Sequence, residues 1–249
     1  MMYFRNLMGG KFEIPENAIQ YVPSSGGKLS LSDPNIIKHQ YNSGIGYVTY
    51  NSDVLSSDLF RYKSILSITL PPTITTLDEE AFYGCNRLTT LTLPNTITES
   101  RWGAFDRCSS LQHVHIPDLS SWLKINYINN LAHPFYAVTS GDLYINGEKL
   151  TDITIPEDIT TIPFSAFRNC KSLTNITIPN HVTAIERSAF DGCDLDEITF
   201  GRNVTSIGYH IYNSCKKINI PNLEWLFNIE YADQHGLYDN GGIIYIDNQ

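Results

Sequence analysis

The amino-acid sequence predicts a β-rich repeat solenoid of about eight coils, with short helical turns between its strands. Three observations predict it. A phrase that opens as Ile65-Leu66-Ser67-Ile68-Thr69-Leu70-Pro71 and closes as Ala81-Phe82-Tyr83-Gly84-Cys85 returns at Leu88 to Cys108, Leu150 to Cys170 and Leu173 to Cys193, with a worn copy from Leu195 to Cys215. Cys85 and Cys108, like Cys170 and Cys193, stand 23 residues apart, a period that marks units unable to bury an apolar face alone and therefore stacked. Within each unit Ile or Leu alternates with Thr, Ser or Asn, the signature of a strand with one buried face.

One coil is read most easily at Leu173 to Cys193. Ile176 and Ile178 point inward and Asn175 and Thr177 outward. Pro179 ends the strand because it has no N–H to give a parallel ladder. Val182-Thr183-Ala184-Ile185 is a second, shorter extended piece, and Ser188 to Cys193 suits a single tight helical turn released by Gly192. Val48, Ile68, Leu91, Val114, Ile153, Ile176, Ile198 and Ile218 take the central strand position, at spacings of 20, 23, 23, 39, 23, 22 and 20. Eight strands in that register make one parallel sheet on the order of 35 Å long. Phe82, Phe105, Phe167 and Phe190 are expected to form one aromatic column. The five cysteines close successive units at the same inward position. Buried thiols suit such a column, although the spacing between neighbouring coils does not by itself forbid a disulfide.

The interval of 39 holds an insertion. It runs from Pro117-Asp118-Leu119-Ser120-Ser121-Trp122 through Asp142-Leu143-Tyr144-Ile145-Asn146-Gly147, and a second copy runs from Pro221-Asn222-Leu223-Glu224-Trp225 through Ile243-Ile244-Tyr245-Ile246. Both replace the Ala-Phe-turn-Cys half of a coil with a longer loop and a closing strand. The organisation expected is therefore a leader or capping segment over 1–45 and a solenoid over 46–249, with variant coils at 117–149 and 221–249. The second variant coil leads into no further repeat within this sequence, so its strand is expected to leave an open edge, filled by a continuation of the chain, by self-association with a second copy or by a partner.

The phrase Leu-x-x-Ile-Thr-Ile-Pro-x-x-Val-Thr-x-Ile-x-x-x-Ala-Phe-x-x-Cys resembles the BspA-like, or Treponema pallidum type, leucine-rich repeat. The Ser-Trp and Leu-Tyr-Ile-Asn-Gly phrases of the insertion are similar to a variant coil of that family, and Asn17 to Tyr21 with Ser24 to Lys28 resemble its leader module. The resemblance spans about 46–249. It implies a curved leucine-rich-repeat array with its parallel sheet on the concave side, and a binding or adhesion role at a microbial surface, in secreted form or on a virion. It transfers no ligand.

A formal charge of −9 argues against nucleic acid, which demands clustered Lys and Arg. No stretch reaches the length of a membrane helix, and Met1 to Gly10 lacks the layout of a secretory signal. The chain holds no G-x-x-x-x-G-K, G-x-S-x-G or H-E-x-x-H motif, and a thiolate at the inward cysteine position is disfavoured by desolvation. No enzyme, cofactor or metal is expected. One constellation is worth following. His113 and His115 face outward together, and the register sets Asp152 beside His113 and Thr154 beside His115. Two imidazoles and a carboxylate make a surface metal triad in outline, or ordinary solvated side chains.

The rest of the outward face carries Ser67, Thr69, Thr90, Thr92, Asn175, Thr177, Glu197 and Thr199. Such a strip either hydrogen-bonds a protein loop or glycan, or is simply strand-forming Thr facing water. Trp122, Tyr127, Tyr136, Tyr144, Trp225, Tyr231 and Tyr238 cluster in the variant coils. They form either an exposed platform for a sugar or protein, or the core of a widened coil. The function these residues suggest is a non-catalytic interaction module for a protein or glycan. The alternative is a structural component of a larger assembly, stacked through its C-terminal edge.

Overall fold

The alternating phrases stack as parallel strands because each inward Ile, Leu or Val finds its counterpart one coil away. The structure, a computed structural model, describes residues 12–231 and 243–246. Among these residues it is a parallel-sheet β-solenoid of about eight turns with few helices, and one continuous apolar core runs from Ile19 to Ile229. Ile68, Leu91, Val114, Leu143, Ile153, Ile176, Ile198 and Ile218 are all buried. Removing such a side chain from water contributes about 1.5–3 kcal/mol each.

The long strands form two sheets where one was expected. Ile65–Thr69, Thr90–Thr92, His113–Ile116 and Asp142–Ile145 pair in parallel, and Glu148–Lys149 then folds back antiparallel on Asp142–Ile145. Asp152–Thr154, Asn175–Ile178, Phe190–Phe200, Tyr212–Ile220 and Ile243–Ile246 form a second parallel sheet. The break lies in the insertion. Leu143, not Ile153, takes the place next to Val114, and the turn at Asn146 (φ 53°) and Gly147 (φ 82°) reverses the chain. Left-handed backbone at two successive residues is the geometry of a tight hairpin, which Asn-Gly favours. A strand that turns back antiparallel ends the parallel run.

The first coil differs as well. Val48 lies in Ile45–Tyr50, opposite Ile19, and not beside Ile68. Ile19–Pro23 inserts between Ile45–Tyr50 and Ile65–Thr69, antiparallel to both, and Ile36–Asn42 lies on the outer side. Ile19 and Tyr21 are buried on the core side of that strand. The Tyr21 ring fills the space over Gly46, where a Cβ would come within 2.0 Å of it. Its hydroxyl lies 2.7 Å from His39 Nε2 and accepts from the Leu29 N–H.

Short strands make a second face: Val54–Leu55, Thr76–Leu77, Glu99–Ser100 and Asn126–Tyr127 in one sheet, Thr161–Ile162, Ala184–Ile185, Ser206–Ile207 and Glu230–Tyr231 in another. The pieces expected to be helical are overlapping i→i+3 turns, as in Tyr83 N–H to Glu80 O and Cys85 N–H to Phe82 O. Each turn bonds to the next coil, as in Phe82 N–H to Ala104 O and Phe167 N–H to Ala189 O. Two left-handed residues shape each turn, Glu80 with Gly84 and Ser165 with Asn169 among them. From Phe190 onward this piece merges into the long strand, so Ser188 to Cys193 is not a helical turn. The α-helices described are Ser57–Phe60, Leu119–Leu123 and Leu223–Asn228.

The aromatic column is two runs. Phe60, Phe82 and Phe105 stack at 6.0 and 5.3 Å, and Phe167 stacks on Phe190 at 5.5 Å. Between them the first variant coil packs Ala132, His133 and Phe135, all buried. The five cysteines are free and buried. Three thiols donate to the carbonyl of the Phe one coil earlier: Cys85 to Phe60, Cys108 to Phe82 and Cys193 to Phe167.

Candidate functional site

Side chains that alternate out of the long strands form two rows on each sheet, because parallel pairing sets equivalent residues side by side. In the first sheet the rows are Ser67, Thr90, His113, Asp142 and Thr69, Thr92, His115, Tyr144. In the second they are Asp152, Asn175, Glu197, Lys217, Ile243 and Thr154, Thr177, Thr199, Asn219, Tyr245. Thr69, Thr90, Thr92, His113 and His115 thus share one sheet, and Asp152, Thr154, Asn175, Thr177, Glu197 and Thr199 the other.

The expected triad does not assemble. Asp152 pairs with Asn175 and Thr154 with Thr177, while Asp142 stands opposite His113 and Tyr144 opposite His115. Among the described residues no group of three or more His, Cys, Asp or Glu side chains is placed to hold a metal ion. The register error has one source. The insertion carries its own strand at Leu143, so counting from Val114 to Ile153 passed over a coil.

An aromatic cluster stands in the triad's place. The Tyr144 ring lies 4.7 Å from the His115 ring in a stacked arrangement and 5.6 Å from His113, edge on. Its hydroxyl is 3.4 Å from His113 Nδ1. Burial, with His113 adding a like charge nearby, holds His115 below the usual imidazole range, so His115 is neutral at physiological pH and stacks as a flat ring. Asp142 pairs with Lys149 of the returning hairpin strand at 2.7 Å. At the end of these strands a shallow groove of about 390 Å³ is lined by Pro72, Thr92, Pro94, His115, Pro117 and Asn146.

The second sheet carries a hydrogen-bonded polar network. Lys217 reaches Glu197 at 2.9 Å, Asn219 donates to Glu197 and to Thr199 Oγ1, and Asn175 donates to Asp152. The bonds from Lys217 and Asn219 hold the Glu197 carboxyl below its usual range, as those from Thr151 and Asn175 do for Asp152. Lys217 also sits 5.3 Å from the centre of the Tyr245 ring. Tyr144, Asp142, Lys217, Asn219 and Tyr245 were missing from the sequence-based face. The signal for them was present: each flanks the inward residue of its strand by one position.

Of the clustered aromatics, Trp122, Tyr127 and Trp225 fill the core, Tyr144 stands on the outward face, and Tyr238 lies outside the described residues. Trp122 and Tyr127 pack around His133, with ring centres 5.5 and 4.7 Å away. The nucleophile candidates are sealed off. Burial pushes the Cys85 thiol up to about 12 and the Cys108 and Cys193 thiols well above their ordinary value.

These features define a repeat protein built as a parallel-sheet solenoid. The chain belongs to the BspA type leucine-rich repeat family, whose model matches it in six copies over residues 53–134 and 138–244. It is similar to a solved leucine-rich repeat protein from Bacteroides ovatus, at 15% identity and a TM-score of 0.38, covering 86% of this chain and 60% of that one. It is also similar to a leucine rich cell surface protein from Faecalibacterium prausnitzii, at 23% identity and a TM-score of 0.41, covering 78% and 55%. The chain thus spans 55–60% of the length of these two structures. No curated protein matches it by sequence. Among the described residues no helix is long and apolar enough to cross a membrane.

Proposed function

We propose that the chain is a non-catalytic interaction module that binds a protein or glycan through the outward face of its long strands, in a microbial surface or secreted setting. The observation that carries this reading is the Tyr144, His113 and His115 cluster beside rows of Thr hydroxyls. A half-buried aromatic flanked by flat imidazoles gives a stacking surface, and Thr69, Thr90 and Thr92 give donors and acceptors beside it. That pairing of a flat apolar contact with fixed polar groups is how recognition sites obtain both affinity and orientation. Family membership supports the interaction class, and the buried thiols leave the cysteines unsuited to nucleophilic chemistry.

The test is a binding screen of the intact chain on glycan and extracellular-protein arrays, followed by Tyr144→Ala and Thr92→Lys. Both substitutions are expected to abolish a captured interaction, while Thr98→Lys on the short-strand face leaves it intact. Binding indifferent to Tyr144→Ala and Thr92→Lys would assign recognition to another surface. A second reading, a component of a larger assembly, is favoured by one observation: the strand Ile243–Ile246 is apolar and largely exposed.

A further inference from the structure

A broad groove of about 730 Å³ lies on the short-strand face of the second half, away from the long-strand surface. It is centred on Arg187, and the coils on both sides of that residue are described. Phe164, Arg187 and Tyr209 hold the same position in three successive coils, because Ser165 N–H donates to Arg187 O and Ser188 N–H to Tyr209 O. Two coil spacings, about 10 Å, therefore separate the two aromatic residues. The guanidinium lies 4.6 Å from the centre of the Phe164 ring and 5.7 Å from that of Tyr209, and it donates to the Tyr209 hydroxyl at 2.6 Å. Stacking of this kind fixes the plane of the guanidinium fork, while Arg187 itself stays exposed. Its charge is not neutralised. Among the described residues no carboxylate pairs with it, and the adjacent Glu186 accepts from the Phe164 N–H at 2.8 Å instead. The first half is arranged differently: Glu79 and Trp102 hold the position of Arg187 in the repeat, and the neighbouring Arg101 is tied to Asp78 at 3.0 Å and to Glu99 at 3.2 Å. On the walls of the groove Thr161 and Ser206, both exposed, add hydroxyls.

We propose that this groove binds a carboxylate-bearing sugar, with the carboxylate on the Arg187 fork and the C–H face of the sugar ring against the exposed part of Phe164 or Tyr209. The site lies on a different face from the Tyr144 cluster and does not rest on the reading given above. Three observations select the ligand. An uncompensated guanidinium held flat matches the two oxygens of a carboxylate, which it binds through paired N–H groups. Half-buried rings beside exposed hydroxyls offer a flat apolar surface ringed by hydrogen-bonding groups, the complement of a sugar. The short strands Thr161–Ile162, Ala184–Ile185 and Ser206–Ile207 pair with one another, so the floor offers no open edge on which a peptide could add a strand. A single sugar reaches one of the two rings, and an oligosaccharide spans both.

The experiment is calorimetric titration of the full chain with oligosaccharides of galacturonate, glucuronate, mannuronate and sialate, with their neutral counterparts and with a poly-glutamate peptide. At least one acidic oligosaccharide is expected to bind, and its neutral counterpart to bind at least about 10-fold more weakly. Arg187→Gln is expected to weaken that binding about 10- to 100-fold, the worth of a hydrogen-bonded charge. Arg187→Lys keeps the charge but loses the fork, and is expected to recover only part of the loss. Arg101→Gln, at the paired guanidinium of the first half, is expected to change nothing. Because Arg187 is exposed, its variants should melt with the unmodified chain, which circular dichroism checks. If Arg187→Gln unfolds, Tyr209→Phe decides: it keeps the ring, removes the hydroxyl that orients the fork, and is expected to weaken binding about 2- to 10-fold. Equal binding of poly-glutamate, lost in Arg187→Gln, would put an acidic peptide in place of the sugar and overturn the proposal. Failure of every acidic oligosaccharide to bind, or binding indifferent to Arg187→Gln, would overturn the site itself.

Discussion

The first and second variant coils use closely similar residues to different ends. Both begin with a proline and an Asx cap: Asp118 accepts from the Ser121 N–H and Asn222 from the Trp225 N–H, each at 2.7 Å. Both then bury a Trp-Leu pair. The next residue differs. In the first coil it is Lys124, which pairs with Asp158 of the coil stacked on it; in the second it is Phe227, which stands in solvent. The first coil is an internal joint, closed by a hairpin and sealed by the indole bond to Ala166. In the second, the indole of Trp225 has no hydrogen-bond partner among the described residues.

The comparison can be broken at the aromatic residues first. Phe135→Ala in the first variant coil is expected to cost about 3–5 kcal/mol, since Phe135 is fully buried in a site that cannot collapse. Gly141 leaves its backbone free for that ring, where a Cβ would come within 2.3 Å. Because neighbouring coils stabilise one another, the loss should be shared by the coils on either side. Hydrogen exchange that weakens only in residues 117–149 would show that the insertion is an independent unit and not a joint.

The next effect is pH dependence. His133 is fully buried between Trp122, Tyr127 and Phe135, and its Nδ1 accepts from the Phe135 N–H at 3.2 Å. Burial, with the nearby Arg168 charge adding, holds its pKa down to about 3, against 6.5 when unfolded. The unfolded chain thus binds the proton more readily, so stability is full above pH 6.5 and falls as pH drops from there toward 3. The loss is on the order of 5 kcal/mol when complete. Denaturant melts at pH 7 and pH 4 should show it, and His133→Gln should flatten that part of the profile. An unchanged difference between the two pH values would place the titration elsewhere.

A smaller and sharper test exchanges only the indoles. Trp122→Phe leaves the Ala166 carbonyl without its buried donor and is expected to cost about 1–3 kcal/mol beyond the packing change. Trp225→Phe removes a donor that has no hydrogen-bond partner among the described residues and is expected to be the milder of the two. Equal losses would mean that the N–H groups are irrelevant and only ring volume matters. Smallest of all is Lys124→Ala. Its partner Asp158 is solvent-exposed, and an exposed ion pair is screened and entropically costly, so no resolvable shift in melting temperature is expected.

Most of the architecture was legible because repetition writes the same constraint many times. The inward Ile, Leu and Val positions, the buried cysteines and the separation of outward Thr from inward Ile follow from alternation and period, which are properties of the chain alone. Three matters needed the folded molecule, each because it depends on which segments become neighbours. The Asn146-Gly147 reversal makes Leu143 the partner of Val114 and divides one expected sheet in two, so Asp152 lies beside Asn175 and not His113. Ile19–Pro23 displaces Val48 from its expected place, since a strand from the cap satisfies the open edge of the Ile65–Thr69 strand better than solvent does. The bond from the Trp122 indole to Ala166 is invisible in the local phrase, because its acceptor carbonyl lies more than forty residues away. Local pattern sets which face of a strand is buried; pairing across sequence sets what stands next to it.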